Sequence, residues 1–262
     1  MRDLWSGLLV AFSLYSAVPV PQVAWTRRSM RWALGFLPLV GVLIGVAEWL
    51  WFAFCARFGA AALFYAAVAA LLPLILSGGI HLDGFADTCD ALCSFGDREK
   101  RLAILSDPHV GAFAPLWLTA LLLAETACFA QLYETPVLLP LAYAGFALAR
   151  TMGGAKVVLS PCARDSGLAQ IFAENSDKTA VVAALAAEFI LFLTVCGLPL
   201  YRVPHGLTAV KSIVPVLLVW YALHESMSRR VFGGITGDLA GFFISIAELL
   251  VLAAAAVGGL ML

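Results

Sequence analysis

Three aspartates fall within eight positions of a strongly apolar chain: Asp83, Asp87 and Asp90, in the stretch GGIHLDGFADTCD at 78–90. The 25 residues from Phe58 to Leu82 contain no Asp, Glu, Lys or Arg. Positions 83, 87 and 90 are i, i+4 and i+7, so a helix over 82–95 puts all three carboxylates on one face. Neighbours at that spacing lie about 5–6 Å apart. Two like charges at 6 Å repel by roughly 3 kcal/mol at an effective dielectric near 20. A divalent cation removes that cost, and Mg²⁺ in particular is held by a few carboxylates together with substrate phosphates. Gly84 keeps the helix surface open beside the first carboxylate, where a phosphate could approach. A solvated acidic helix end is the simpler alternative, but it explains neither the seven-residue face nor the flanking glycines Gly78, Gly79 and Gly84. The pattern predicts a Mg²⁺ site at Asp83, Asp87 and Asp90 that works on a phosphate ester.

Further polar residues cluster in a few other stretches. DREKRLAILSDPHVGAF supplies Arg98, Lys100, Arg101, Asp107 and His109. Arg98 and Arg101 are one turn apart and could hold phosphate oxygens. ARTMGGAK contributes Arg150 and Lys156, SPCARDSGLAQ contributes Arg164 and Asp165, and GGITGDLAG places Asp238 in a glycine-rich approach to an apolar run. Such a loop can turn backbone N–H groups toward a phosphate.

The elements that must position these groups are membrane helices. The chain of 262 residues is 62% hydrophobic and 13% charged, against about 25% charged in a soluble domain. So few charges cannot cover a soluble surface, and the natural solvent is a bilayer. Apolar segments recur at 32–55, 60–79, 112–132, 136–155, 179–200, 211–228 and 239–262, most near the ~20 residues a span needs. The expected fold is an all-α polytopic bundle of about seven transmembrane helices in one integral membrane domain, 1–262. The apolar segment 4–20, closed by Pro19 and Pro21, is either interfacial or an eighth span. With seven spans beginning at residue 32, twelve Lys or Arg share one side and three the other. That bias predicts cytoplasmic breaks at 80–111, 156–178 and 229–238, with a short opposite break at 201–210. A net charge of −1 gives no basic field for nucleic acid, and six scattered cysteines form neither a disulfide framework nor a zinc pattern. Glu48, Glu125, Glu188 and Glu248 fall inside spans, where each costs about 2.5–3.5 kcal/mol or more. They motivate a rival reading as a transporter.

GGIHLDGFADTCDAL, followed by DREKRLAILSDPHVGAFAPL, resembles the hallmark region of the cobalamin synthase family, the adenosylcobinamide-GDP ribazoletransferases. ARDSGLAQIF at 163–172, GGITGDLAG at 233–241 and the opening that ends SAVPVP extend the likeness over nearly the whole chain. The chain departs from the family pattern at Ser245, where a glutamate is common shortly after the glycine matching Gly241; Glu248 lies one turn further and is the expected substitute. The resemblance implies transfer of the adenosylcobinamide phosphoryl group from its GDP-activated form to α-ribazole or its 5′-phosphate, with release of GMP. It implies Mg²⁺ at Asp83, Asp87 and Asp90, and a general base among these, Asp107 and Asp238. His81, Gly84, Arg98, Arg101, His109, Arg150, Lys156, Arg164 and Thr236 are the implied substrate-binding residues. The implied location is the bacterial cytoplasmic membrane with the site facing the cytoplasm. The partners are then small molecules and the lipid bilayer, with the oligomeric state open to a homo-oligomer. A lipid synthase of the CDP-alcohol phosphotransferase type is the chemical alternative, although that longer signature, with an arginine after the alanine, is absent: the residue after Ala86 is Asp87.

Overall fold

The computed structural model describes residues 2–203 and 206–261, and within them helices joined by turns and loops are the regular structure, apart from one isolated β-bridge. In chain order the helices are α1 (Arg2–Tyr15), α2 (Arg27–Met30), α3 (Ala33–Phe58), α4 (Ala62–Ser77), α5 (Ile80–Cys93) and α6 (Arg98–Ile104). They continue with α7 (Phe113–Glu134), α8 (Leu139–Leu159), α9 (Leu168–Asn175), α10 (Lys178–Leu200), α11 (Gly206–Met227) and α12 (Gly237–Gly259). Counting a 3₁₀ turn before α8 and a π-helical turn after α11, α3, α7, α8, α10, α11 and α12 run for 22 to 27 apolar residues each. At 1.5 Å per residue all six exceed the ~30 Å hydrocarbon core. The chain is a polytopic helical membrane protein, as its apolar segments require. In the predicted break at 201–210, Pro204 and His205 lie outside the described residues.

The remaining predicted span, 60–79, is α4, which continues into α5 across a sharp bend. α4 turns through 98° into α5. The bend is at Gly78 and Gly79, with φ of 67° and 80°, a left-handed conformation that costs glycine nothing and other residues over 1 kcal/mol. The hydrophilic break that begins at residue 80 is therefore helical from Ile80 to Cys93, close to the 82–95 that the spacing of the aspartates asks for. α1 has 14 residues, about 21 Å of helix, too short to cross unaided. It packs along α3 and beside the mouth described below.

α8 is the buried axis of the bundle, enclosed by α3, α10 and α12. Gly41 and Gly45 let α3 lie directly on the α8 backbone: a Cβ at Gly45 would stand 2.8 Å from the Tyr143 carbonyl oxygen, and one at Gly41 would overlap Phe146. Small residues four apart are the usual means of close helix approach in lipid, where no hydrophobic force drives helices together. Trp49, Phe54, Leu63, Ile75, Leu116, Leu123, Ile190 and Leu223 point outward and exposed, an apolar exterior that a bilayer covers.

The buried axis also absorbs two expected substrate cations. Arg150 is 1% exposed, donates to the Phe146 carbonyl and pairs with Glu248. Lys156 is fully buried, 2.8 Å from Glu225 Oε2 and 3.8 Å from the centre of the Tyr221 ring. Neither is a loop cation, and neither has a charge free for a phosphate. This corrects the expectation for both. A charge buried in an apolar core persists only with a partner, and each has one from a distant helix. Removing these two from the cytoplasmic count leaves ten Lys or Arg against three, so the charge bias survives. Glu48 and Glu125 are also buried, close enough to act on one another electrostatically. Glu125 and Glu248 border a void of about 10 Å³, room for at most one water.

Candidate active site

Two glycines set the site by allowing α5 to lie against the first turns of α12. A Cβ on Gly84 would meet the Asp238 carbonyl oxygen at 2.7 Å, and one on Gly241 would meet the His81 carbonyl oxygen at 2.9 Å. Phe85 stacks on Phe242 beside this contact, with centroids 5.5 Å apart. Gly84 thus admits the α12 backbone rather than a phosphate, which corrects the role expected for it. The close approach brings Asp238 to the α5 aspartates: the charges of Asp83, Asp238 and Asp90 all bear on Asp87. Asp83 is exposed, Asp87 is half-buried, and neither forms an ion pair among the described residues.

Asp90 behaves differently from the other two. It is 9% exposed, and its oxygens accept from the N–H groups of Gly111 (2.8 Å), Phe113 (2.9 Å) and Ala114 (3.0 Å). These are donors at the start of α7 that have no intrahelical acceptor. Asp90 therefore caps α7 and ties it to α5. Its lone pairs and its charge are engaged by backbone, so the expectation of three equivalent metal ligands reduces to Asp83 and Asp87. Among the described residues no group of three or more His, Cys, Asp or Glu is arranged as a metal-ligand set. Two carboxylates one turn apart, with Asp238 opposite, still fit Mg²⁺, which takes one or two carboxylates and completes its shell with water and substrate phosphate.

The loops after α8 and before α12 are joined at this end of the bundle. Ile235 N–H donates to the Pro161 carbonyl at 2.8 Å, and Ala163 N–H donates to the Ile235 carbonyl at 2.9 Å. The Arg98 guanidinium rests on Gly233, where any Cβ would overlap it, and donates to the Ala163 carbonyl at 3.2 Å. The N–H groups of Gly233 and Gly234 are taken by the carbonyls of Arg229 and Ser228. The glycine-rich loop is accordingly a packed joint and not a phosphate nest, and Arg98 is the clamp upon it. Thr236 caps α12 by accepting from Leu239 N–H at 3.2 Å and donates to Asp238 at 3.3 Å. Arg164 is held by Ser106 and by the Leu102 carbonyl, near enough to Asp238 to act on its charge.

Two cavities meet at Asp238. One, of about 310 Å³, is walled by Tyr15, Phe172, Ile244 and other apolar side chains, with His81, Asp83 and Asp238 as polar members. The other, of about 230 Å³, is lined by Arg164, Ser166, Gln170 and Thr236 as well as Asp238. The structure therefore gathers His81, Asp83, Asp87, Arg164, Thr236 and Asp238. It leaves Asp107 and His109 apart from both cavities on an exposed loop, paired with each other at 2.7 Å; the hydrogen bonds from His109 hold the Asp107 carboxyl below its usual pKa. Arg101 is half-buried and donates to the nearby Gly96 carbonyl at 3.0 Å. Tyr15 and Phe172 were not singled out from the sequence. Their only signal is an aromatic residue inside stretches that already matched the family, SLYSAVPVP and GLAQIF.

A family model for cobalamin-5-phosphate synthase matches residues 7–256. A curated relative from Lachnoclostridium phytofermentans, named adenosylcobinamide-GDP ribazoletransferase, is 33% identical over 250 residues, 95% of this chain and 91% of the relative. Its namesake from Geobacillus kaustophilus is 31% identical over 247 residues, 93% of this chain and 92% of that one. A third with the same name, from Clostridium perfringens, is 29% identical over 249 residues and covers 95% and 96%. No solved structure matches the chain. With end-to-end matches of this kind to both a family model and curated relatives, the chain belongs to the cobalamin-5-phosphate synthase family.

Proposed function

We propose that this protein transfers the adenosylcobinamide phosphoryl group from adenosylcobinamide-GDP to a hydroxyl of α-ribazole or its 5′-phosphate, releasing GMP. The observation that carries this reading is the shared wall at Asp238. An apolar and a polar cavity open on one carboxylate that faces two more, which is the layout a two-substrate phosphoryl transfer needs. The hydroxyl oxygen of the acceptor forms a new bond to the phosphorus next to the cobinamide. The bond from that phosphorus to the GMP oxygen breaks, and GMP leaves with the electron pair. The hydroxyl proton passes to a carboxylate, and Asp238, bordering both cavities, is the group within reach of both substrates.

Such a reaction depends on positioning and charge neutralisation more than on covalent chemistry. Asp83 and Asp87 would hold Mg²⁺, which would neutralise the diphosphate of the donor and leave Asp238 to take the proton. Arg164 adds a fixed positive charge on the polar side, while Thr236 orients Asp238. Arg98 acts at one remove by holding the two loops together. The bias of ten loop cations against three supports a site facing the cytoplasm, where nucleotides are found, in the cytoplasmic membrane of a bacterium.

The test is GMP release from adenosylcobinamide-GDP by membranes containing the protein, with and without α-ribazole and with and without Mg²⁺. The expected result is release that requires acceptor and metal together. Release of CMP from a CDP-activated lipid instead, or solute flux in proteoliposomes without nucleotide turnover, would overturn the proposal.

A further inference from the structure

The apolar cavity has features that the phosphoryl chemistry does not explain. It runs inward from Asp83 and Asp238 among Leu34, Leu37, Val157 and Ile244. One side is closed by α1 through Tyr15, whose ring stacks on His81 at 5.9 Å and meets Phe172 at 6.3 Å. Buried aromatic and aliphatic walls around a few polar groups are what a binding site for a flat apolar ring looks like. The cavity's charged groups, Asp83 and Asp238, are those of the reacting end.

Resting on the reaction proposed above, we infer that this cavity is the subsite for the base of the acceptor, and that Tyr15, Phe172 and Ala240 make it selective for an apolar bicyclic base. The other candidate occupants do not fit. A corrin macrocycle is far too large for about 310 Å³. The guanine of the donor carries a carbonyl, a ring N–H and an amino group, and burying them against Leu34, Leu37 and Val157 would leave them without partners. A bicyclic base with no carbonyl or amino group presents almost only carbon at its edge, which matches the apolar wall. Seated there, the base directs its ribose toward Asp238, where the attacking hydroxyl is needed. The polar cavity beside Arg164 is left for phosphate. The short helix α1 is then part of the active site and no mere anchor.

Steady-state GMP release, with each substrate varied in turn, tests this. Ala240→Leu narrows the cavity and Tyr15→Ala removes a wall, so each should raise the KM for α-ribazole about tenfold, the scale of one altered apolar contact in a specificity pocket. The KM for adenosylcobinamide-GDP should stay within about twofold. Tyr15→Phe keeps the ring and should restore the wild-type acceptor KM, which a loss of folding would not allow. In the wild type, an α-riboside of adenine should be a poorer acceptor than the benzimidazole riboside by about tenfold or more in kcat/KM. A donor KM that rises while the acceptor KM holds, or no shift in either with both variants, overturns the subsite assignment. Absence of any GMP release by the wild-type protein would instead overturn the reaction itself.

Discussion

Replacing Asp90 by asparagine, beside the same change at Asp83, separates a helix cap from a metal ligand. In the wild type the Asp90 Oδ1 accepts from Phe113 and Ala114 and its Oδ2 accepts from Gly111. An asparagine with its carbonyl oxygen at the Oδ1 position keeps two of these three bonds and turns its amide toward the Gly111 N–H. Asparagine caps helices about as well as aspartate, so what is lost is one hydrogen bond and the interaction of a charge with the α7 N-terminus, about 1 kcal/mol together. Asp90→Ala is harsher. Ala114 is buried while Gly111 and Phe113 are exposed, so water can rescue two donors but not the third. The lost cap and one orphaned donor amount to about 2–3 kcal/mol. At roughly 2–4 °C per kcal/mol for a chain of this size, thermal unfolding in detergent should fall by a few degrees for the asparagine and about twice as far for the alanine. Turnover of Asp90→Asn, measured as GMP release in membranes, should stay within about tenfold of wild type. Asp83→Asn should lose two orders of magnitude or more, the scale of removing one electrostatic partner of the transition state, without any drop in unfolding temperature. If Asp90→Asn loses turnover as Asp83→Asn does while its unfolding temperature is unchanged, Asp90 is a ligand and the capping argument is wrong.

Gly84→Ala pushes a methyl to 2.7 Å from the Asp238 carbonyl oxygen and should cost about 1–3 kcal/mol of stability and at least tenfold in turnover, whereas Gly237→Ala, which has open space around it, should retain both. Arg150→Met leaves Glu248 buried without its partner and should destabilise by about 3–5 kcal/mol, most of it recovered in the double variant Arg150→Met, Glu248→Met when unfolding is followed in detergent. Asp177 accepts from Arg31 and from Ala180 N–H, which lowers its pKa below the ordinary 3.8; the tie between α10 and the segment before α3 is therefore fully present above that value and lost as pH falls through the lowered one. Proteolysis of the 160–177 segment, α9 and its flanking turns, should accelerate below about pH 4, and Asp177→Asn should cleave at one rate across that range.

The spans were legible because a bilayer imposes one requirement, length of apolar sequence, that no tertiary contact can override. All seven predicted segments overlap helices, and the charge bias survives the loss of two members. The bend was only half legible. Gly78 and Gly79 stood out as flanking glycines, but spacing alone does not distinguish a glycine that admits a ligand from one that turns the chain. Gly84 repeats the lesson: its open surface receives the α12 backbone, more than 150 residues further on. Arg150 and Lys156 read as substrate cations because each sits near the cytoplasmic end of an apolar run. Their partners, Glu248 and Glu225, lie 98 and 69 residues away, and a pairing at that distance leaves no local pattern.

Asp90 was misjudged for a deeper reason. A seven-residue face establishes that three carboxylates point the same way, not that they meet the same neighbour. α7 begins beside the last turn of α5, so the third carboxylate of the face finds amides where the first two find open solvent and Asp238. In an apolar protein a charge is retained only where something answers it. Glu248, Glu225 and Asp90 are each answered within the fold, by Arg150, by Lys156 and Ser160, and by the α7 amides. Asp83 and Asp87 have no such partner among the described residues, and they face a third carboxylate across a contact that two glycines keep tight. That arrangement repels itself until a cation is present, and it stands where two cavities open. Glu48 also lacks a partner but is sealed in the core; carboxylates left unneutralised at the mouth of two cavities mark a place where a cation would be held, and they identify the site more sharply than the spacing of the aspartates does.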